Sequence, residues 1–222
     1  NDASPNLERR IYAMELNIPG PFELYVNDFP ARIENVESMH NTAIEINRYI
    51  LKSGKYKFRL LVLPSAENIK AGGIQPATAS RIRAGLIAFE RNTEKFPHSK
   101  KGSYKKILDF TIPKIDKRVP YLEITGEFEV ELPYNLEGWS NSEDLSKIDK
   151  KELEDQVTLY YQQLRIILNN GDGVQYLKKY EKYQGELLQC EYTLPLSLTE
   201  ANNTLLSNIS NYAKGNMEKL EK

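Results

Sequence analysis

The spacing of apolar residues changes once along this chain, near Trp139. Upstream they recur at every second position, the period that turns one face of a strand toward a core. Downstream they recur at every third or fourth position, the period of one helix face. An α+β chain is therefore expected, with a β domain first and a small three-helix domain after it. The expected divisions are a tether over residues 1–8, an antiparallel β-sandwich over 9–136, a linker over 137–148 and the helical domain over 149–222.

Alternation marks six strands in the first part. Tyr12, Met14, Leu16 and Ile18 make one, ended by Pro19-Gly20-Pro21, and Phe22, Leu24 and Val26 make the next, ended by Asn27-Asp28. Tyr56, Phe58, Leu60 and Val62 follow Gly54, with Lys55, Lys57 and Arg59 on the other face. Ile82 to Ala88 alternates less cleanly, Leu108 to Ile112 precedes Pro113, and Leu122 to Leu132 alternates with Glu123, Glu127, Glu129 and Glu131. So many one-sided strands with turn signals between them predict two sheets packed face to face, of jelly-roll or immunoglobulin-like type.

Within this part, Phe22-Glu23-Leu24-Tyr25-Val26-Asn27-Asp28, then Ile44-Glu45-Ile46-Asn47, then Tyr49 to Tyr56 with its Gly54-Lys55 step form a suggestive order. Residues 22–63 resemble the jelly-roll, galactose-binding-like β-sandwich domains of bacterial glycosidases. That resemblance implies a β-sandwich and a carbohydrate-binding accessory role. Asp28 stands where such domains usually carry glycine, and their sugar-holding aromatic loops lie outside the matched stretch, so no ligand residue carries over.

Asp149 with Glu152 three residues on predicts a capped helix start. Leu153, Val157, Tyr160, Leu164 and Ile167 then recur at steps of four and three until Asn169-Asn170-Gly171. A second helix carries Tyr176, Tyr180, Tyr183, Leu187 and Cys190 on one stripe and is stopped by Pro195, with Gly185 inside it as an expected kink or close helix contact. Thr199 is the expected cap of a third, carrying Leu206, Ile209, Ala213 and Leu220. Tyrosine joins a broad apolar body to a hydroxyl that tolerates water, so Tyr176, Tyr180 and Tyr183 form the first candidate binding surface. A second is the basic tip Lys100, Lys101, Tyr104, Lys105 and Lys106, which suits an acidic partner. The stretch Ser65 to Ser80 is long for a hairpin and is expected to form a binding rim.

A formal net charge of −1, from 30 basic and 31 acidic residues, argues against a nucleic-acid partner. Cys190 is the only cysteine, which excludes an internal disulfide and any zinc site built on several thiolates, and its apolar stripe makes it a core residue. The two histidines, His40 and His98, fall in expected loops. No transmembrane segment, cofactor or metal site is expected. The polar start Asn1-Asp2-Ala3-Ser4-Pro5-Asn6 resembles the end left by a cleaved leader, which predicts an extracytoplasmic protein, periplasmic, secreted or lipid-anchored as a lipoprotein. Glu127, Glu129 and Glu131 share a strand face at about 6–7 Å spacing, which overlaps the carboxylate separation of some glycosidases. The expected role is that of a non-enzymatic bacterial protein acting by protein binding, as an interaction or immunity-like inhibitor protein. The alternatives are a carbohydrate-binding module and a glycoside hydrolase using strand carboxylates.

Overall fold

The computed structural model describes residues 9–92, 99–192 and 195–219, without the side chains of 195–198. It divides into two compact units, Asn1–Leu136 with Cys190–Tyr192, and Glu137–Gln189 with Thr193–Lys222.

The first unit holds eight strands: β1 (Arg10–Pro19), β2 (Phe22–Val26), β3 (Phe29–Glu34), β4 (Met39–Glu45), β5 (Gly54–Val62), β6 (Arg83–Glu90), β7 (Lys105–Asp109) and β8 (Leu122–Val130). They form two four-stranded antiparallel sheets, ordered β4-β1-β6-β7 and β3-β2-β5-β8. The alternating residues of both sheets meet in one core. Met14, Leu16, Ile18, Ala84 and Leu86 come from the first sheet, and Leu24, Val26, Phe58, Leu60, Ile124 and Phe128 from the second. Each fully buried side chain of this kind contributes about 1.5–3 kcal/mol, so this sandwich core dominates the stability of the unit.

Alternation did not mark two of the strands. β3 and β4 are edge strands and lie largely in solvent, so neither carries an apolar alternation. The last strand of the first sheet, β7, begins earlier than the sequence suggests, at Lys105, because its residues are all exposed and its pairing with β6 sets its bounds.

The Ser65–Ser80 stretch is not an open rim. Ser65 caps a short helix α1 (Ala66–Lys70) by accepting from Asn68 N at 3.2 Å, and Pro76 opens α2 (Pro76–Ala79). Between them, Ile74 N donates to Val119 O at 2.8 Å and Val119 N returns the bond at 3.1 Å. Gly73 is required here: its φ is +112°, and a Cβ would stand 2.1 Å from Val119 O.

A buried asparagine ties the ends of this unit together. Asn47 lies in a short 3₁₀ turn, Asn47–Tyr49, and is 2% exposed. Its Oδ1 accepts from Tyr12 N at 2.8 Å, and its Nδ2 donates to Arg10 O at 3.0 Å and Cys190 O at 3.1 Å. One side chain thus closes the start of β1 and holds the 190–192 segment. Beside it, Tyr192 packs on the outer-face cluster of Ile11, Ala13, Ile87 and Phe89. Cys190 is buried, as its apolar stripe implies.

The second unit contains α3 (Lys150–Asn169), most of α4 (Gly173–Glu191) and α5 (Pro195–Asn208), followed by a π turn over Ile209–Ala213. Asp149 caps α3 by accepting from Lys151 N at 3.0 Å and Glu152 N at 3.1 Å. Gly171, at φ +73°, ends the helix as the Asn-Asn-Gly run predicts.

Three expectations change. The third helix begins at Pro195 and not after a Thr199 cap, because proline suits a first helical turn whose N–H groups are unbonded in any case. It ends at Asn208, so Ala213 lies in the π turn, and Leu220 falls outside the described residues. At Gly185 the helix runs through without a close neighbour, since a Cβ would meet nothing within 4 Å. None of the described helices is long and apolar enough to cross a membrane.

Two outcomes follow from these contacts. Asn47→Ala leaves Tyr12 N and two carbonyls unbonded in a buried site, and the loss of stability is expected to be about 2–4 kcal/mol. In urea titrations the midpoint falls while the slope is unchanged. Gly185→Ala adds a methyl to open space in a helix and raises the stability of the helical unit by about 1 kcal/mol, read as a later loss of helical circular dichroism in urea.

Candidate functional site

In the helical unit, the sequence-predicted tyrosines divide between two roles. Tyr176 and Tyr180 are half-buried and packed on each other, ring centroids 4.8 Å apart. The hydrogen bond between them is the main cause that holds the Tyr180 phenol above its ordinary value. Tyr183 stands 57% exposed. From α4, Lys179 Nζ comes within 5.8 Å of the centre of the Tyr160 ring on α3, which in turn meets Tyr161 edge to face.

The stripe on α3 is covered only at one end. Leu164 and Ile167 are buried, Leu153 is half-buried, and Val157 and Tyr160 are 46% and 42% exposed. Among the described residues of this unit, Leu164, Ile167 and Ile209 are the only buried hydrophobic side chains. Leu159, Tyr161, Ile166 and Tyr183 are more than half exposed. So small a core is unusual for a helical unit, whose stability ordinarily comes from burying the amphipathic face.

The basic tip behaves differently from its sequence pattern. Lys100 pairs with Glu90 at 3.0 Å, and Lys106 pairs with Asp109 at 2.6 Å, while Lys101 and Lys105 are exposed. Tyr104 turns its hydroxyl to donate to Glu15 Oε1 at 2.8 Å. The cluster is therefore not a free cationic tip: two of its four lysines are matched by carboxylates. Desolvation comes first, then the bond to Glu15 and the negative charges of Glu15 and Asp109, and together they push the Tyr104 phenol up to about 12.

Tyr104 and Lys106 are brought to the outer face of the first sheet. There, a hollow of about 220 Å³ is lined by Glu15, Asn17, Asn41, Arg83, Gly85, Lys106 and Asp109. Pairing explains the grouping: Asn17 faces Asn41 and Arg83 across the sheet, and one step along the same face Glu15 faces Gly85, which faces Asp109. Glu15 and Asn17 were visible as the polar alternants of β1. Asn41 was not, because β4 shows no alternation, and Arg83 and Asp109 needed the register of β6 and β7.

Glu127 and Glu129 stand in solvent on the outer face of the second sheet, opposite Lys57 and Lys55 in register, and Lys57 Nζ is 3.9 Å from Glu127. The burial that raises a general acid is missing at this face. Glu131, exposed beyond the end of β8, lies 3.7 Å from Arg10. The ring of His40 lies 2.8 Å from Val36 O through Nε2 and meets Phe22 edge to face, and His98 lies outside the described residues. Among the described residues no group of three or more His, Cys, Asp or Glu side chains could hold a metal ion. Comparisons with protein families, curated proteins and solved structures returned no match for this chain.

Tyr104 offers a direct readout of the Glu15 contact. Because its folded value lies above the ordinary phenol value of 10.0, its neutral form stabilises the fold fully below pH 10, and that contribution is lost as the pH rises toward 12. The phenolate absorbance that disappears in Tyr104→Phe should titrate near 12, and Glu15→Gln should bring it down toward the ordinary phenol value.

Proposed function

We propose that this protein works by binding another protein through its helical unit, with an amphipathic helix of the partner laid along α3. The observation that carries this reading is the uncovered stripe: a helix with apolar residues at steps of four and three that buries only Leu164 and Ile167. Steps of that kind fit a second helix by side-chain interdigitation, so the occupant follows from the spacing. Beside the stripe, charged residues lie only toward the start of the helix, at Lys150, Glu152 and Glu154, and past them the flanks are Gln156, Tyr161, Gln163 and Leu168. Recognition is therefore by apolar shape, with little dependence on salt. Tyr160 and Tyr161 supply the kind of rigid aromatic anchors that dominate binding at such surfaces.

An immunity-like inhibitor is one role that suits this surface, because blocking a partner asks for a shaped face and no bond-making chemistry. The paired state of Lys100 and Lys106 moves the weight of the proposal from the basic tip to the helices.

The test is a photo-crosslinking residue placed at position 161 of the full chain and activated in the source cells. A discrete adduct to another protein, mapped to an amphipathic helix and lost in Val157→Asp, is the expected result. Val157→Asp should change the stability of the free chain by no more than about 0.5 kcal/mol, since the site is exposed, and weaken the complex at least tenfold. Adducts only between copies of this chain, or an adduct unaffected by Val157→Asp, would overturn the proposal.

A further inference from the structure

The two sheets end in four edge strands, β3, β4, β7 and β8, and an edge strand turns a row of backbone N–H and C=O groups away from its neighbour. Three of the four carry features that discourage a further strand. β3 contains Pro30, and its register with β2 shifts between Leu24 and Tyr25. β7 is short, holds Lys105, Lys106 and Asp109, and shifts its register with β6 between Leu86 and Ile87. β8 lines its outer face with exposed Glu123, Glu127 and Glu129. Charge, proline and irregular register are the usual means by which an edge is kept from pairing.

β4 has none of these. Its seven residues, Met39–Glu45, stay in unbroken register with β1, contain no proline, and carry no Asp, Glu, Lys or Arg before Glu45, which Arg91 neutralises. The bonds that flank the ladder give the direction of its free groups. Gly20 N donates to Ser38 O at 3.0 Å and Ile46 N to Tyr12 O at 2.9 Å, so the even-numbered residues between them exchange bonds with β1. Met39, Asn41 and Ala43 therefore turn their N–H and C=O groups outward, and all three residues are exposed. Among the described residues no backbone bond reaches these groups. Val36, just before the strand, and Met39 at its start add exposed apolar surface.

We infer that β4 pairs antiparallel with β4 of a second copy, joining the first sheets of the two copies into one sheet across a two-fold axis. The edges themselves identify the occupant. A second copy offers four edge strands, three of them guarded, so β4 meets its own counterpart. Such a contact closes after two chains, whereas β4 against a different edge would continue into a fibre.

Register follows as well. Thr42 is the midpoint of Met39–Glu45, so setting Thr42 opposite Thr42 pairs the whole strand, Asn41 with Ala43 and Met39 with Glu45 of the other copy. No like charges then face each other. The same arrangement on β8 would set Glu123 opposite Glu129, which is unfavourable. Because Thr42 points its backbone groups at β1, the axial pair is the close, non-hydrogen-bonded kind, with facing Cα atoms about 4.5 Å apart.

The test is sedimentation velocity of the full chain over a wide range of concentrations. A monomer–dimer equilibrium without larger species is expected. Asn41→Pro removes an outward N–H that β1 does not use, so it should abolish the dimer. Thr42→Lys and Thr42→Glu each place like charges against each other on the axis and should each weaken dimerisation at least tenfold. An equimolar mixture of those two variants should restore it as a mixed dimer, an outcome that loss of folding could not produce. Val157→Asp should leave the dimer intact, which separates this contact from the one on α3. A chain monomeric at every concentration, a dimer that survives Asn41→Pro or either charged variant, a mixture that fails to pair, or a dimer lost in Val157→Asp would overturn the inference.

Discussion

Apolar burial is unevenly shared in this protein, and the consequences run through both of its units. Nearly every fully buried side chain belongs to the core between the two sheets. Alternation makes this possible: each strand of the inner layer offers a whole face, and two such faces exclude water from both sides. The helical unit has stripes of the right period but buries only Leu164, Ile167 and Ile209 among its described hydrophobic residues. One part of the chain is thus self-sufficient in apolar contacts, and the other leaves an apolar face in water.

Polar groups close the β unit where apolar contact cannot. Asn47 satisfies Tyr12 N, Arg10 O and Cys190 O from a single buried side chain, and Tyr134 donates to its backbone carbonyl at 3.3 Å. Burial is the main cause that holds the Tyr134 phenol well above its ordinary value. A neutral amide is suited to this place because it can donate and accept at once without a charge to desolvate. Around it, Arg91 donates to Glu191 O at 3.2 Å and pairs with Glu45, so the same short segment is held from two sides.

The candidate sites were legible in part. Tyr176, Tyr180 and Tyr183 do share a helix face, because helical periodicity is a property of the sequence alone. That Tyr176 and Tyr180 pack together while Tyr183 reaches solvent depends on neighbours the pattern does not name. The lysine tip misled for a related reason. Of its carboxylate partners, Asp109 lies three residues on from Lys106 along β7, while Glu90 ends β6 and meets Lys100 through the backbone bond Lys100 N to Glu90 O at 2.9 Å. Glu15 and Asn17 were legible as outward residues of β1, but nothing in the order of residues placed Asn41 beside them.

Residue order alone determined the two kinds of structure, the place where one gives way to the other, the inward faces of the core strands, and the caps at Asp149 and Gly171. These are local matters, settled by the period of apolar residues and by backbone geometry over a few positions. Tertiary structure alone decided the edge strands β3 and β4, the pinning of the Ser65–Ser80 stretch by Val119, the start of α5 at Pro195, and the polar grid around Gly85. β3 and β4 keep both faces largely wet, so no apolar rhythm marks them. A grid drawn from four strands exists only once hydrogen bonding has set their register.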